Sequence, residues 1–292
     1  MNTVLPLVSV LMTAYNRDKY IAEAIESVLN STYSNFELII VDDCSTDKTF
    51  AIASSFIGKD IRIKVFKNEY NLGQFANRNK AIELAKGEYI KFLDSDDKIR
   101  PDGLQVMVTS ILAFPDAGIG VPAKATYKNE LPYKVMPHES VWMHYTTENH
   151  LCYGPTGSIF KKVALQEAGL FEEEYGILAD TLLNIKMASL SPTVFFESGL
   201  FYWRRHNEQV TEAQNDDVRM IGERDLILKA AMAYRQLPLN QIERKQILKN
   251  FIKINTRHFL RYFLKGKFKM AFQIKRETEL SFTKVLSVLL KK

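Results

Sequence analysis

The sequence predicts an α/β protein in which a mostly parallel sheet is flanked by helices on both faces. Three observations support this prediction. Strand-like and helix-like segments alternate over residues 1–123, the second apolar run is almost continuous, and Gly and Pro residues separate the segments. Alternating strands and helices build parallel sheets, and a strand that is buried on both faces is apolar at successive positions.

The first two strand–helix units are expected within residues 8–56. VSVLMTAY (8–15) is a β-rich run, and the segment after it carries apolar residues at helical spacing, namely Ile21, Ala24, Ile25, Val28 and Leu29. FELIIVDD (36–43) predicts the second strand. Ser45 or Thr46 is placed to cap the helix that follows it.

The next segments continue the alternation as far as residue 123. RIKVFKN (62–68) predicts a strand, a helix runs from about Leu72 to a stop at Gly87, and EYIKFLD (88–94) predicts the fourth strand. Pro101 starts a further helix over 103–113, and a short strand is expected over 119–123.

The second half of the body is less regular. Residues 127–152 are rich in Pro, His and aromatic residues without a clear period, so we expect a long loop or lid. A short strand and helix are expected in SIFKKVALQEAGLF, a helix in ADTLLNIKMASL and a β-rich segment over 193–206.

Composition limits the compartment. A chain of 292 residues with 46% hydrophobic content can bury a full core, and only two cysteines occur, which favours a reducing compartment. The N-terminus lacks the basic region of a signal peptide, and no uncharged apolar stretch approaches the roughly 18–20 residues of a membrane-spanning helix. We therefore expect a cytoplasmic protein.

Charge divides the chain into two expected parts. Residues 215–292 hold 18 Lys and Arg against 7 Asp and Glu, whereas residues 1–214 hold 21 against 27. This division predicts an acidic body over 1–214 and a basic helical extension over 215–292. Residues 256–292 either contact an anionic membrane, on the inner face of the cell membrane, or form a helical hairpin that packs on the body. No motif for nucleic acid accompanies the charge.

An acidic turn (residues 94–97) follows the fourth strand and holds three carboxylates. A second acidic pair, Asp42-Asp43, ends the second strand, and Tyr15 ends the first. Ligands bind beyond the carboxyl ends of parallel strands. Neighbouring carboxylates raise one another's pKa unless a cation offsets their charge, and Mg²⁺ or Mn²⁺ prefers such oxygen ligands. The alternative is a solvent-facing turn with no ligand.

The chain resembles family 2 glycosyltransferases of the GT-A nucleotide-sugar fold. The resemblance rests on VSVLMTAYNRDKYIAEAIESVLNSTYSNFELIIVDDCSTDKT, NLGQFANRNKAIELAKGEYIKFLDSDD, LADTLLNIKMA and YWRRHNEQVT, and covers about residues 5–212. It implies that a sugar moves, with inversion, from a nucleoside diphosphate donor, UDP in our expectation, to the hydroxyl of a saccharide or lipid-linked saccharide. It also implies Mn²⁺ or Mg²⁺ as cofactor and a role in bacterial surface polysaccharide or lipopolysaccharide synthesis.

The resemblance assigns the donor site residue by residue. Asp94-Ser95-Asp96 matches the DxD motif of the family, so Asp96 would ligate the metal and Asp94 would contact the ribose or the metal. The positions that match the nucleoside pocket are Ala14, Tyr15, Asp42, Asp43 and Arg78, and either aspartate of the pair could contact the base. The alternative for Arg78 is an exposed helix residue paired with an acid. Arg205 and His206 match groups that approach the diphosphate or the metal.

The acceptor side is also assigned by resemblance. Asp180 matches the second acid of the Glu-Asp pair in the family and would be the catalytic base, while Ala179 replaces the first acid. Its alternative role is to cap a helix. Gly157 lies in a small-residue segment that would line the acceptor site, with an ordinary turn as the alternative, and Trp142 could stack on a sugar. The histidines over 138–150 lack the spacing of a metal cluster.

Two other functions are compatible with such a sheet. A sugar nucleotidyltransferase would carry a Gly-rich basic loop after the first strand, but TAYNRDKY contains no Gly. A non-catalytic module that binds a nucleotide sugar or a membrane would not need both Asp96 and Asp180.

Overall fold

The computed structural model describes residues 5–124, 130–206 and 217–289. Its main sheet has the strand order β3-β2-β1-β4-β8-β6-β9-β7, and a two-stranded sheet pairs β5 with β10. The strands are β1 Val8–Ala14, β2 Phe36–Asp42, β3 Ile63–Lys67, β4 Tyr89–Phe92, β5 Lys98–Ile99, β6 Ile119–Pro122, β7 Tyr133–Val135, β8 Ile159–Lys161, β9 Thr193–Phe196 and β10 Phe201–Tyr202.

Helices cover both faces of the main sheet, which confirms the predicted α/β class. They are α1 Ile21–Leu29, α2 Thr49–Ser54, α3 Gln74–Leu84, α4 Gly103–Leu112, α5 Pro137–Thr146, α6 Lys162–Glu167, α7 Ala179–Leu190, α8 Asp217–Ala233, α9 Gln241–Leu264, α10 Phe268–Glu277 and α11 Phe282–Leu289. Strands β1 to β4 are parallel to one another, whereas β8 runs antiparallel to β4 and β6.

The continuous apolar pattern of β2 arises because both of its faces are buried. Leu38 and Ile40 pack in the cluster under α1 and α4, while Ile39 and Val41 pack in the cluster under α3 and α7. Successive side chains of a strand point to opposite faces, so a central strand needs apolar residues at every position. The sequence pattern therefore identified the centre of the sheet.

The predicted cap of α2 is wrong. Lys48 is the N-cap residue and makes no side-chain capping bond, while the Asp47 carboxylate accepts the Thr49 N–H at 2.9 Å. Ser45 Oγ instead accepts the N–H of Asn16 at 3.0 Å. The bond between Asn16 and Ser45 thus joins the loop after β1 to the loop after β2. It forms only when the folded sheet brings the two strand ends together.

The loop predicted over 127–152 is also wrong for the residues that are described. Residues 130–152 contain β7, α5 and a 3₁₀ turn, His150–Cys152. Helix α5 buries Ser140, Val141 and His144, a mixed set that gives no apolar period. Packing against α7 and the C-terminal helices stabilises α5, so its helical structure depends on tertiary contacts.

The C-terminal helices pack on the body and on one another. Ile227 and Leu228 of α8 and Ile247 of α9 share a hydrophobic cluster with Leu182 and Ile185 of α7. A second cluster joins α8, α9, α10 and α11. The predicted boundary between residues 214 and 215 lies outside the described residues. Over the described ranges, no helix has the length and apolar character needed to cross a membrane.

The order of the strands reverses beside β1. Strands β2 and β3 lie on one side of β1, and β4 lies on its other side. In an open parallel sheet, such a reversal is the place where a crevice opens beyond the carboxyl ends of the strands. The candidate site lies there.

Candidate active site

A cavity of about 340 Å³ opens at the carboxyl ends of β1, β2 and β4. Ala14 ends β1, Asp43 follows β2, and Asp94 and Asp96 follow β4, and all four line this cavity. Arg78 reaches it from α3. Most of the residues predicted for the donor site are therefore brought together at the strand ends.

The two carboxylates of the DxD motif bond to protein cations. Arg78 Nη2 lies 2.8 Å from Asp94 Oδ1. Arg17 Nε and His206 Nε2 each lie 3.0 Å from Asp96 Oδ2. The two guanidinium groups come from α3 and from the loop after β1, and the imidazole comes from the segment after β10, so three distant parts of the chain contact one acidic turn.

Asp97 lies beneath the cavity and is almost fully buried. The pKa of its carboxyl is raised to about 7, mainly by burial and to a smaller extent by the charges of Asp94 and Asp96. The backbone N–H of Arg204 donates to Asp97 Oδ1 at 2.9 Å and opposes that shift. Asp97 thus joins the acidic turn to the segment after β10 and does not line the cavity.

Lys91 is a fully buried lysine in the middle of β4. Its Nζ donates to the carbonyls of Phe92, at 2.8 Å, and Thr156. Burial lowers the pKa of Lys91 to about 7, against the opposing effect of nearby Asp94 and Asp97. Thr156 Oγ1 in turn accepts the N–H of Asp94 at 3.2 Å. Lys91 therefore connects β4 to the turn that lies beside the DxD motif.

The two aspartates after β2 have different environments. Asp43 lines the cavity, and its carboxylate accepts the N–H groups of Leu72, at 2.8 Å, and Gly73, at 3.0 Å. Asp42 Oδ2 accepts the N–H of Ser45 at 2.9 Å, and its Oδ1 is buried without a hydrogen-bond partner among the described residues. Only Asp43 of the pair faces the cavity, and its contact with a base stays a prediction.

The other nucleoside-pocket residues differ in exposure. Ala14 is buried at the end of β1, whereas Tyr15 is 46% exposed at the rim and presents its ring to solvent. Arg78 is 3% exposed, so the alternative of an exposed helix residue is wrong. Its guanidinium lies 5.8 Å from the ring centroids of both Phe75 and Phe171.

The residues of the cationic segment after β10 (203–206) point either toward the cavity and the acidic turn or toward the surface. Trp203 lines the cavity. Arg204 turns inward and donates from Nε to the carbonyl of Asp96 at 3.0 Å. Arg205, the residue chosen from the sequence, is exposed, with its guanidinium 5.2 Å above the Trp203 ring. The His206 ring stacks on Tyr20 at a centroid distance of 4.4 Å.

Asp180 is the second residue of α7. Leu178 is the N-cap residue, so the alternative in which Asp180 is the N-cap is wrong. The N–H of Thr181 donates to Asp180 Oδ1 at 2.6 Å. Burial raises the pKa of Asp180 to about 6, Arg78 opposes the shift and Asp94 adds to it. Asp180 thus interacts electrostatically with the ion pair of the donor side.

The turn over residues 154–157 lies between Asp180 and the acidic turn. Asp180 Oδ2 lies 3.7 Å from the position that a Cβ on Gly154 would occupy. At the other end, a Cβ on Gly157 would lie 3.4 Å from Tyr153 Cβ. Thr156 contacts the DxD backbone, as described above. Gly157 is therefore buried in a structured turn beside the site and does not line the cavity.

Trp142 and the nearby histidines lie elsewhere. Trp142 packs on the cluster between α7 and the C-terminal helices. His144 and His150 are buried, which lowers their pKa values to about 3 and about 4. His138 pairs with Glu243 at 2.9 Å. In the described parts of the chain, no group of three or more His, Cys, Asp or Glu side chains is arranged to hold a metal ion.

Four residues that contact or lie beside the acidic turn were not chosen as site residues from the sequence: Arg17, Lys91, Thr156 and Arg204. A lysine inside an apolar strand was the available signal for Lys91, because a buried charge requires partners. The roles of Arg17, Thr156 and Arg204 had no local signal, since each contacts a carboxylate or a backbone group distant in the sequence.

Comparisons with solved structures agree on the architecture. Residues 1–349 of TarS of S. aureus, in a crystal structure in complex with UDP-GlcNAc, superpose with a TM-score of 0.70 at 23% identity, over 92% of this chain and 79% of that chain. The mannosyltransferase PcManGT from Pyrobaculum calidifontis, in complex with GDP-Man and Mn²⁺, gives 0.66 at 17% identity, over 98% and 79%. This chain therefore has the GT-A fold.

Comparisons of sequence identify the family. The Escherichia coli protein UDP-Glc:alpha-D-GlcNAc-diphosphoundecaprenol beta-1,3-glucosyltransferase WfaP is 50% identical over 91 residues, which are 31% of this chain and 36% of WfaP. The chain covers 43% of an uncharacterized glycosyltransferase of Haemophilus influenzae and 49% of the putative teichuronic acid biosynthesis glycosyltransferase TuaG of Bacillus subtilis, so it spans less than half the length of these curated relatives. Residues 9–172, more than half of the chain, match the pattern of glycosyl transferase family 2. The chain belongs to glycosyl transferase family 2.

Proposed function

We propose that this protein transfers a sugar from a nucleoside diphosphate sugar to an acceptor hydroxyl, with inversion at the anomeric carbon. The observation that carries the proposal is the cavity at the switch point of the sheet, where Asp94 and Asp96 meet Arg17 and Arg78. Asp180 lies beyond the adjoining turn. Separate groups are thus available for a diphosphate and for a hydroxyl nucleophile.

The donor would bind along the strand ends. The exposed Tyr15 ring offers a stacking surface for a base, and Asp43 is the carboxylate of its pair that faces the cavity. Guanidinium groups bind phosphate oxygens through charge-assisted bonds, and Arg17 and Arg78 can donate such bonds as negative charge develops on the leaving group. We propose UDP as the nucleotide, because TarS was crystallised with UDP-GlcNAc.

A divalent cation, Mn²⁺ or Mg²⁺, fits the chemistry of the DxD motif. Asp94 and Asp96 offer carboxylate oxygens, and His206 places an imidazole nitrogen 3.0 Å from Asp96 Oδ2. The ion would neutralise diphosphate charge when bound. The PcManGT structure contains Mn²⁺, which supports this proposal. Binding of the ion must compete with Arg17 and His206 for Asp96, so metal and donor are expected to bind cooperatively.

Asp180 would accept the proton of the acceptor hydroxyl. With a pKa of about 6 this carboxylate is mostly ionised at neutral pH and still basic enough to take a proton. Its bond from the Thr181 N–H keeps one oxygen oriented at the N-terminus of α7. The acceptor we propose is a saccharide or a lipid-linked saccharide in surface polysaccharide or lipopolysaccharide synthesis, because the name of WfaP includes a diphosphoundecaprenol.

The proposal is tested by calorimetric titration with UDP-sugars, with and without Mn²⁺. We expect Mn²⁺ to increase the affinity and Asp96→Asn to remove that increase, while Asp60→Asn, on a carboxylate that bonds Arg62, leaves it unchanged. Absence of metal-assisted binding for every nucleoside diphosphate sugar would refute the proposal. A nucleotidyltransferase would instead release pyrophosphate from a nucleoside triphosphate and a sugar phosphate.

A further inference from the structure

The C-terminal helices expose a group of apolar side chains that we call the aromatic patch: Phe263, Leu264, Phe268 and Phe272. The ring centroid of Phe263 lies 5.1 Å from that of Phe268 and 6.3 Å from that of Phe272, so the patch is continuous. Leu264 is 81% exposed and Phe268 is 52% exposed. Single exposed apolar residues are common, but a contiguous aromatic group marks an interaction surface.

The patch is additional to the core that folds these helices. Phe259, Tyr262, Ala271 and Ile274 are buried in the cluster that joins α8 to α11. The ends of α9 and α10 are therefore already stabilised by their own packing. That packing holds the patch with its side chains toward solvent. The patch can therefore contact a partner other than the described residues.

The charge around the patch indicates what that partner is. Lys265, Lys267 and Lys269 alternate with the patch residues and are all exposed. Residues 256–292 contain ten Lys and Arg but only two acidic residues. Aromatic rings prefer the interface of a bilayer, and neighbouring lysines are attracted to anionic headgroups. A second protein with the same chemistry would need an acidic rim around an apolar groove.

We propose that the aromatic patch docks this protein on the surface of a bilayer that contains anionic lipids. The rings enter the interface between headgroups and acyl chains, while the three lysines contact headgroup phosphates. This docking requires no membrane-spanning helix, and the described residues contain none. The protein binds peripherally, and high salt weakens the binding.

Close contacts connect the patch to the segment that leads into Asp180. The link between docking and catalysis rests on the proposed function, in which Asp180 is the base. A Cβ on Gly222 of α8 would lie 2.9 Å from Glu277 Cβ at the end of α10. A Cβ on Gly176, in the turn that precedes α7, would lie 3.1 Å from Glu223 Oε1 of α8. Helix α8 thus joins the helix that bears the patch to the segment that leads into Asp180, and docking would orient the base toward a lipid-linked acceptor.

Sedimentation with vesicles tests the docking. We expect the full chain to bind vesicles that contain phosphatidylglycerol at least about tenfold more strongly than vesicles of phosphatidylcholine alone, with roughly a fivefold loss for each lysine changed to Gln at 265, 267 and 269. Phe263→Ser combined with Phe268→Ser should remove most of the remaining binding. Matched controls are Ile61→Ser and Ile242→Ser, which change residues that are 96% and 77% exposed outside the patch.

The outcomes separate docking from catalysis. Patch variants should keep wild-type transfer to a water-soluble acceptor, since none of the patch residues lines the cavity. Equal binding to both kinds of vesicle, or equal losses in the Ile61 and Ile242 controls, would overturn the docking proposal. A wild-type dimer that the patch variants abolish in sedimentation velocity, without vesicle binding, would assign the patch to a second copy of the chain.

Discussion

Asp180→Asn should abolish transfer and at the same time stabilise the fold. The pKa of Asp180 is raised by burial from 3.8 to about 6, so the folded protein binds this proton more tightly than the unfolded chain between those two pH values. Stability therefore falls as the pH rises from 3.8 to about 6, and the cost is complete above pH 6. A shift of two pKa units corresponds to about 3 kcal/mol, which is an upper limit because the side chain is partly exposed.

The amide of the variant should keep the acceptor for the Thr181 N–H and remove the buried charge. We expect a rise in the free energy of unfolding, of at most about 3 kcal/mol at pH 7, which disappears below pH 3.8. Urea denaturation followed by circular dichroism at pH 7 and pH 3.5 measures both values. Asp60→Asn is the control, and its free energy of unfolding should fall at pH 7, because Arg62 lowers the pKa of Asp60 in the folded protein.

The same group sets the pH dependence of transfer in the wild type. With a pKa of about 6, Asp180 is about 90% ionised at pH 7 and about 10% ionised at pH 5, so kcat/KM for the acceptor should fall about tenfold between these values. Donor affinity of Asp180→Asn, measured by calorimetry, should stay near that of the wild type. A variant with normal turnover, or one that is less stable than the wild type at pH 7, would refute the reasoning.

Three further changes have defined expectations. Lys91→Met removes a buried donor to two backbone carbonyls, so the free energy of unfolding should fall by about 1–3 kcal/mol in urea denaturation. Asp43→Asn, which weakens bonds to the backbone before α3, should reduce nucleotide affinity in calorimetry more than Asp42→Asn, whose Oδ1 has no partner among the described residues. Gly87→Ala places a Cβ 2.4 Å from a backbone nitrogen and should lower the melting temperature strongly, whereas Gly58→Ala, with nothing within 4 Å, should not.

Specific results would contradict each expectation. Wild-type stability of Lys91→Met would mean that the turn beside the DxD motif does not depend on this lysine. Equal affinities for the two aspartate variants would remove the distinction between the cavity-facing and the buried carboxylate. Similar melting temperatures for the two glycine variants would indicate that the strand near residue 87 can shift to admit a side chain.

The sequence predicted the central sheet well because its pattern reflects burial on both faces. The four parallel strands β1 to β4 were placed within one or two residues of their observed ends. Helix α5 was missed because its buried face includes a serine and a histidine, which no apolar period detects. The two-residue strands β5 and β10 pair only with each other, and such short elements form through tertiary contact.

The site was predicted as far as it depends on strand ends. Ala14, Tyr15, Asp43, Asp94 and Asp96 follow strands, and parallel strands bring their ends to one edge. The choice of Arg205 over Arg204 shows the limit of sequence reasoning, because adjacent residues of an irregular segment point in directions that only the packed structure fixes. Their roles in binding remain predictions.

Side chains of the protein itself offset the charge of the carboxylates that follow β4. Arg17 and His206 contact Asp96, and Arg78 contacts Asp94, so two guanidinium groups and an imidazole surround the DxD carboxylates. The two guanidinium groups offset the charges of these carboxylates. Both arginines also line the cavity in which we propose that the diphosphate and its metal bind. If a donor entered with its metal, Arg17 and Arg78 could transfer their bonds from carboxylate to phosphate, which would leave the carboxylates available to the metal. The site would then exchange one set of ion pairs for another, so we expect the metal and the diphosphate to bind more tightly together than either binds alone.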